Sequence, residues 1–390
     1  MHSIPQLRLD TLVIGGGMTG LWALDHLLRS GHRTALLESH TLGGGETIAS
    51  QGVIRSGFGG SSHRRGRQDE HRRRWREALA GERPPTLTRT RLRSDYCHLF
   101  WPTPRRGLKG VLWRRGRYER NGSIIPVDER PAILQSCPGR VIRIDEQVIE
   151  PTTLVQDLAD RNRPALLKID AKSGLEFDPS TGTGFGVVRL LNPQTGEPLD
   201  IACNHLVLAA GCGNDPLRIH LGLGTAQTIG HRDRLYMARG SLTALNGHAM
   251  QPGRETMTIT STWDCGDQVI WQIGGPGIRA FRHLDRPAAH HAVAQRLGTI
   301  LPGVDLSSMV VRSYDVDRVR RRSWRRLPPS GFLQRSGSVT TIWTPPLALL
   351  PAVVDHLVDS LEPPSPGSDE PLPMWPRPDI SLPPWESMPW

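Results

Sequence analysis

Lysine is nearly missing from this 390-residue chain: Lys109, Lys168 and Lys172 are the only three, and arginine carries the positive charge elsewhere. Such a bias arises without function, so a run of arginine here reads first as a solvated basic face. Cysteine is scarce as well. Cys97, Cys137, Cys203, Cys212 and Cys265 are odd in number and form no C-x-x-C pair, which argues against a disulfide framework or a thiolate metal site. Reduced, mostly buried thiols are expected. No apolar run approaches the length that crosses a bilayer, and the amino terminus enters an apolar strand almost at once. The expectation is a soluble, cytoplasmic chain without signal peptide or transmembrane segment. G-x-S-x-G and H-E-x-x-H are also lacking, so hydrolase chemistry has no support. His283, His290 and His291 lie close together without a metal-ligand spacing and read as helix surface, so no metal is expected.

The net charge of +10 comes from one segment. Between Gln51 and Arg140 there are 21 arginines and lysines against 8 acids, with Arg72, Arg73, Arg74 and Arg76 in its densest part. Such a surface attracts polyanions, yet Trp75, Tyr96 and Trp101 are too sparse for the aromatic interleaving of a single-strand binder. Nucleic acid is therefore not the expected partner.

What is abundant is glycine, and its placement carries chemistry. Apolar Leu12-Val13-Ile14 reads as a buried strand, and Gly15-x-Gly17-x-x-Gly20 turns the chain into a helix that opens at Met18 and Thr19. Gly15 makes the turn, Gly17 leaves room for a pyrophosphate, and Gly20 lets the helix lie close on the sheet. A phosphate then meets the positive end of that helix. The helix, Met18 to Arg29, places Leu21, Leu24, Leu27 and Leu28 on one face and stops at Gly31. A second strand, Thr34 to Glu38, ends in an acid that can accept both hydroxyls of a ribose. The whole describes a pocket for the ADP half of a dinucleotide.

Downstream, a basic helix from His63 to Ala80 ends at Gly81, and a helix begins at Pro151. Strand-like runs follow at 165–169, 186–191 and 204–210, with Gly110 to Trp113 as an earlier one. Further strands are expected at 235–242, 257–262 and 269–273, interrupted by a helix from Pro287 to Thr299. A strand at 338–343 and a helix from Leu347 to Leu361 come last. The residues after Glu362 are rich in proline, lack periodicity and read as a disordered tail.

Two further segments complete a family pattern. Gly43-Gly44-Gly45-Glu46-Thr47-Ile48-Ala49-Ser50-Gln51-Gly52-Val53-Ile54-Arg55-Ser56-Gly57 follows the second strand, and a later strand ends in Leu208-Ala209-Ala210-Gly211. Together with the glycine turn, these resemble the D-amino-acid oxidase superfamily of FAD enzymes, with glycine and sarcosine oxidases, glycerol-3-phosphate dehydrogenase and L-2-hydroxyglutarate oxidase among its members. The resemblance implies an α/β fold in which a Rossmann-like FAD-binding domain with a parallel sheet is interleaved with an α+β substrate domain on an antiparallel sheet. Residues 1–62, 141–233 and 325–361 would form the first, 63–140 and 234–324 the second, and 362–390 the tail. By the same resemblance Gly15, Gly17, Gly20, Glu38, Ser39, Thr47, Ser50, Gln51, Gly52, Ala210 and Gly211 would touch FAD.

The implied activity is oxidoreduction, a hydride passing from a C–H beside an amine or hydroxyl to the flavin, with oxygen or a quinone as final acceptor. Many substrates in the family carry a carboxylate, which favours an arginine fork. Arg55, Arg239, Arg279 and Arg318 are the candidates, with Arg55 and Arg279 foremost as substrate-orienting residues. Tyr236, Trp263 and Trp271 are read mainly as core. Near the carboxyl end, Pro328 to Phe332 and Trp343 to Leu347 depart from the family's usual turns, so the substrate does not transfer from the resemblance. A flavoprotein acting on RNA through segment 51–140, or a flavin-binding structural subunit, are the alternatives.

Overall fold

The computed structural model describes residues 6–55, 62–102, 122–170, 174–180, 184–225, 228–251, 254–321, 329–366 and 372–390. Expected features at Gly110 to Trp113, Ser56-Gly57 and Pro328 lie outside them. Side chains of 62–68, Arg64, Arg65 and Arg67 included, are outside as well.

Two eight-stranded sheets organise the chain. The first contains β1 (Gln6–Ile14), β2 (Thr34–Glu38), β8 (Leu166–Lys168), β9 (Glu176–Pro179), β10 (Gly186–Leu191), β11 (Pro198–Leu208), β17 (Leu333–Ser336) and β18 (Val339–Ile342). Its order is β17-β18-β11-β1-β2-β8, and β18, β11, β1, β2 and β8 run parallel. Strands β1 and β2 are buried almost throughout, as a sheet covered on both faces requires. Helices α1 (Met18–Arg29), α2 (Ser62–Ala80), α3 (Pro151–Arg161) and α6 (Leu350–Asp359) pack on one face. Helix α1 buries Leu21, Leu24 and Leu27 and ends at Gly31, whose φ of 86° suits glycine.

The second sheet holds β4 (Cys97–Phe100), β5 (Gly122–Ile124), β6 (Val141–Ile144), β12 (Thr228–Arg239), β13 (Gly247–Gln251), β14 (Arg254–Trp263), β15 (Val269–Gly274) and β16 (Val310–Arg321). Among the described residues of this sheet only β13 and β4 pair parallel, and the rest is antiparallel. After the short α4 (Asn214–His220), helix α5 (Arg286–Ile300) starts where the Asp285 carboxylate accepts the Ala288 N–H at 2.8 Å. Its Ala289, Val293 and Leu297 pack against Tyr236, Met257, Ile259, Trp271 and Ile273 of the sheet. Alternation along β14 puts Met257 and Ile259 toward α5 and Thr258, Thr260 and Thr262 on the opposite face. A two-stranded ribbon of β3 (Leu92–Ser94) and β7 (Val148–Ile149) lies between.

Three expectations need correction. Helix α2, placed by sequence in the substrate domain, joins the core of the first sheet. Its Trp75 and Ala78 supply the apolar face, the Trp75 ring lies 4.9 Å from that of Trp22, and its Nε1–H donates to Leu347 O at 3.0 Å. Strand β6 and the first residues of β12 belong to the second sheet, so the boundaries at 140/141 and 233/234 fall inside it. The tail is ordered over 372–390. Trp375 and Trp385 are buried, and the backbone pairs with β8 of the first sheet through Lys168 N to Pro376 O at 2.8 Å and with the loop after β2 through Leu42 N to Asp379 O at 2.7 Å. Proline removes donors and periodicity but leaves carbonyls to accept and indole rings to bury.

Candidate functional site

Strand β1 delivers the glycine turn to the carboxyl edge of the first sheet. Gly15 has φ of 114°, and a Cβ there would lie 2.6 Å from Ala209 O and Ala210 Cα. A Cβ on Gly20 would lie 1.9 Å from Gly15 O, so the helix crosses the turn in direct contact. Gly17 differs: its Cβ would meet only Thr47 Oγ1, at 3.4 Å. The first turn of α1 has no acidic side chain, which leaves the positive helix end undiluted.

Above this turn opens a cavity of about 860 Å³, within the range of small-molecule sites. Gly15, Gly17, Met18, Thr19, Glu38, Ser39, Thr47, Ala210 and Gly211 line it. The Glu38 carboxylate sits at its wall, accepting the Gly16 N–H through Oε2 and the His40 N–H through Oε1, both at 2.7 Å. Thr47 Oγ1 accepts the Met18 N–H at 3.1 Å, tying the loop after β2 to the helix start. The tail braces the same loop, for Ser381 N donates to Leu42 O at 3.0 Å while Gly43 N donates to Gly16 O at 2.9 Å.

Gly20, Ser50, Gln51 and Gly52 do not line this cavity. Gly20 is buried beneath the turn. Gly52, with φ of 69°, lets Ile149 O approach where a Cβ would lie 2.1 Å away. Gln51 ties its loop to the second sheet, its Nε2 donating to Thr258 O at 3.0 Å and Gln272 O at 2.9 Å. Gln272, fully buried, answers by donating to Ser50 O at 3.3 Å and accepting Arg93 Nη1 at 2.9 Å. The loop that follows the cavity is thus sewn to the second sheet.

Of the candidate arginines, Arg279 and Arg318 share Asp233, while Arg55 and Arg239 have partners of their own. Arg55 forms a bidentate pair with Glu255, Nη1 to Oε2 at 2.5 Å and Nη2 to Oε1 at 3.1 Å, and also donates to Thr258 Oγ1 at 3.1 Å. Its side chain is nevertheless 43% exposed. Burial by itself would raise the Glu255 carboxyl, but the charges of Arg55 and His248 override it and hold the group at about 2. Arg279 pairs with buried Asp233 at 3.1 Å, and Arg318 bridges Asp233 and Glu46 of the loop after β2. Arg239 lies 4.5 Å over the Trp390 ring. Tyr236 and Trp271 are core, and Trp263 lies under Arg91.

Sequence reasoning missed the residues that surround Arg55. His248, Glu146 and Cys97 come together in full burial, their ligand-type atoms within 4.8 Å of one another. They lie on β13, after β6 and on β4, and no local spacing announces them. Cys212 and Cys265 are exposed, while Cys97, Cys137 and Cys203 are buried. Among the described residues no helix is long and apolar enough to cross a membrane.

Glycines crowded only by backbone, a cavity open over Gly17 and a bare helix start fit a dinucleotide diphosphate. The comparisons agree. A family model described as FAD dependent oxidoreductase matches residues 10–326. The chain is 30% identical over 406 residues to the probable FAD-dependent oxidoreductase PA4991 of Pseudomonas aeruginosa, covering 98% of this chain and 99% of that one. The crystal structure of that protein superposes with a TM-score of 0.81 at 27% identity, over 99% of each chain. The glycine oxidase of Geobacillus kaustophilus shares the fold, with a TM-score of 0.63 and 18% identity over 91% of this chain and 94% of that one. The L-amino acid deaminase of Proteus myxofaciens, solved in complex with anthranilate, does likewise at 0.61 and 14% identity, over 93% and 94%. FAD is the cofactor, and the chain belongs to the DAO family of FAD-dependent oxidoreductases.

Proposed function

We propose that this oxidoreductase removes a hydride from a C–H beside an amine or hydroxyl of a small substrate bearing a carboxylate, and that Arg55 receives that carboxylate. FAD, when bound, supplies the two-electron acceptor. The chain's own part is to hold the ADP portion along Gly15, Gly17, Met18, Thr19, Glu38, Ser39, Thr47, Ala210 and Gly211, and to orient the substrate.

The observation that carries the reading is the state of Arg55. It follows directly on the loop sewn to the second sheet by Gln51, its fork is held flat by Glu255 and Thr258, and it remains solvent-accessible. A guanidinium so fixed offers further N–H donors to a carboxylate at little entropic cost. Arg279 is already committed to the buried Asp233.

An anaerobic screen of amino acids and 2-hydroxy acids against the purified yellow protein, followed by flavin absorbance, tests this. A carboxylate-bearing donor should bleach the flavin, and Arg55→Ala should raise its KM at least tenfold. Bleaching by amines or alcohols without a carboxylate, at equal KM in Arg55→Ala, would refute it.

A further inference from the structure

Behind Arg55 lies a chain of buried polar groups that the reaction as described does not use. Thr258, His248 and Glu146 are each 0% exposed, on the face of the second sheet opposite α5. Thr258 Oγ1 lies 2.6 Å from Glu255 Oε1, 3.1 Å from Arg55 Nη2 and 2.9 Å from His248 Nδ1. His248 Nε2 lies 3.0 Å from Glu146 Oε2.

Donor counting fixes the roles. The Glu255 carboxylate accepts only and Arg55 donates only, so the single Thr258 hydroxyl proton goes to Glu255 and one lone pair takes Arg55. The remaining lone pair faces His248 Nδ1, which must carry its proton and donate. Thr258 Oγ1 then makes one donated and two accepted bonds, which leaves it no freedom to rotate. On the far side of the ring, one further proton is shared between Nε2 and Glu146. The Cys97 thiol beside them stays protonated, because burial and the neighbouring Glu146 push its pKa well up.

Burying these polar side chains costs free energy that apolar residues of like size would not. What the arrangement returns is direction at Arg55. We propose that His248 is a positioning residue that acts through the Thr258 hydroxyl to hold the Arg55–Glu255 pair in the orientation a substrate carboxylate meets. The proposal rests on the reading of Arg55 given above.

The test titrates oxidised holoenzyme with anthranilate, an amino carboxylate, and follows flavin absorption; KM for the donor from the anaerobic screen is read on the same variants. Thr258→Val removes the hydroxyl at constant shape and should weaken binding about tenfold, with KM rising more than kcat falls. Thr258→Ser should restore it. His248→Gln reaches toward Glu146 but not Thr258 and should weaken binding as Thr258→Val does. His248→Asn, whose amide donates from the Nδ1 position, should recover most of the loss. FAD content should stay that of the wild type.

Wild-type affinity in Thr258→Val and His248→Gln, with binding lost in Arg55→Ala, overturns this proposal alone. Equal loss in His248→Asn and His248→Gln also overturns it, because packing rather than direction would then be the role. Wild-type affinity in Arg55→Ala, or a wild type that binds no carboxylate, overturns the reading of Arg55 together with it.

Discussion

The α-carbon of Gly20 faces the carbonyl oxygen of Gly15 so closely that a Cβ would lie 1.9 Å from it, whereas a Cβ on Gly17 would meet only Thr47 Oγ1 at 3.4 Å. Two glycines of one motif therefore do different work. Gly20→Ala must push α1 off the sheet and should lower the yield of folded protein and its melting temperature. Gly17→Ala has room in the fold and places its methyl beside the cofactor cavity. It should fold with a melting temperature near that of the flavin-free wild type, yet retain little FAD. Absorbance of bound flavin per chain and thermal unfolding of both variants, with and without added FAD, separate the two.

The strand, helix and strand around this motif were legible because their signals are local. The glycine spacing, the leucines of α1 and the run from Thr34 to Glu38 each declare one element within a few residues, and the observed bounds of α1 and β2 match. The surroundings of Arg55 were not legible. Glu255, Thr258, His248 and Glu146 reach it from strands and loops as far as 203 residues away, and only sheet pairing brings them there. Strands β13 and β16 went unnoticed, since polar residues fall on both faces, as His248 and Gln251 do in β13 and Arg312 and Ser313 in β16, and break the alternation that marks a half-buried strand. The tail was misread for a related reason: its order comes from pairing with Leu42 and Lys168, which no window of its own sequence contains.

Helix α2 offers a prediction about the basic segment. Arg74 is 11% exposed and forms a fork with Asp355 of α6, while Arg72 and Arg76 both pair with Asp145. Charges so engaged contribute little to a polyanion site. Arg74→Ala leaves Asp355 with His26 alone and should cost roughly 1–3 kcal/mol of stability. Arg73 is 66% exposed and pairs with Glu77 on the helix surface, so Arg73→Ala should change stability by less than about 0.5 kcal/mol. Salt-sensitive RNA binding that disappears when Arg72, Arg73 and Arg74 are neutralised would revive the RNA reading.

The tail invites truncation. Trp385 is 4% exposed among Leu235, Met237, Ile270, Tyr314 and Val316, and Arg93 sits 5.7 Å over its ring. Trp385→Ala should cost on the order of 3–5 kcal/mol, the usual penalty for emptying a buried indole site. A chain ending at residue 371 should lose more, since it also unbraces Leu42 beside the cofactor loop. Thermal unfolding and limited proteolysis measure both. A truncated chain as stable and as protease-resistant as the full one would show the strap to be dispensable.

Acid should dissolve the Arg55–Glu255 pair in a defined window. In the unfolded chain Glu255 titrates near 4.5, and in the fold the charges of Arg55 and His248 outweigh burial and hold it at about 2. A carboxyl depressed on folding stabilises at every pH above its unfolded value, and that contribution drains away as pH falls from 4.5 toward about 2. Moving a carboxyl that far corresponds to roughly 3 kcal/mol at neutral pH. Glu255→Gln removes the titrating group while keeping the shape. It should therefore melt below the wild type at pH 7, and the gap should narrow steadily below pH 4.5 as the wild type loses what the variant never had. Melting temperatures of both proteins between pH 7 and pH 3 decide it, and a gap independent of pH would mean that the Arg55 charge does not hold Glu255 ionised.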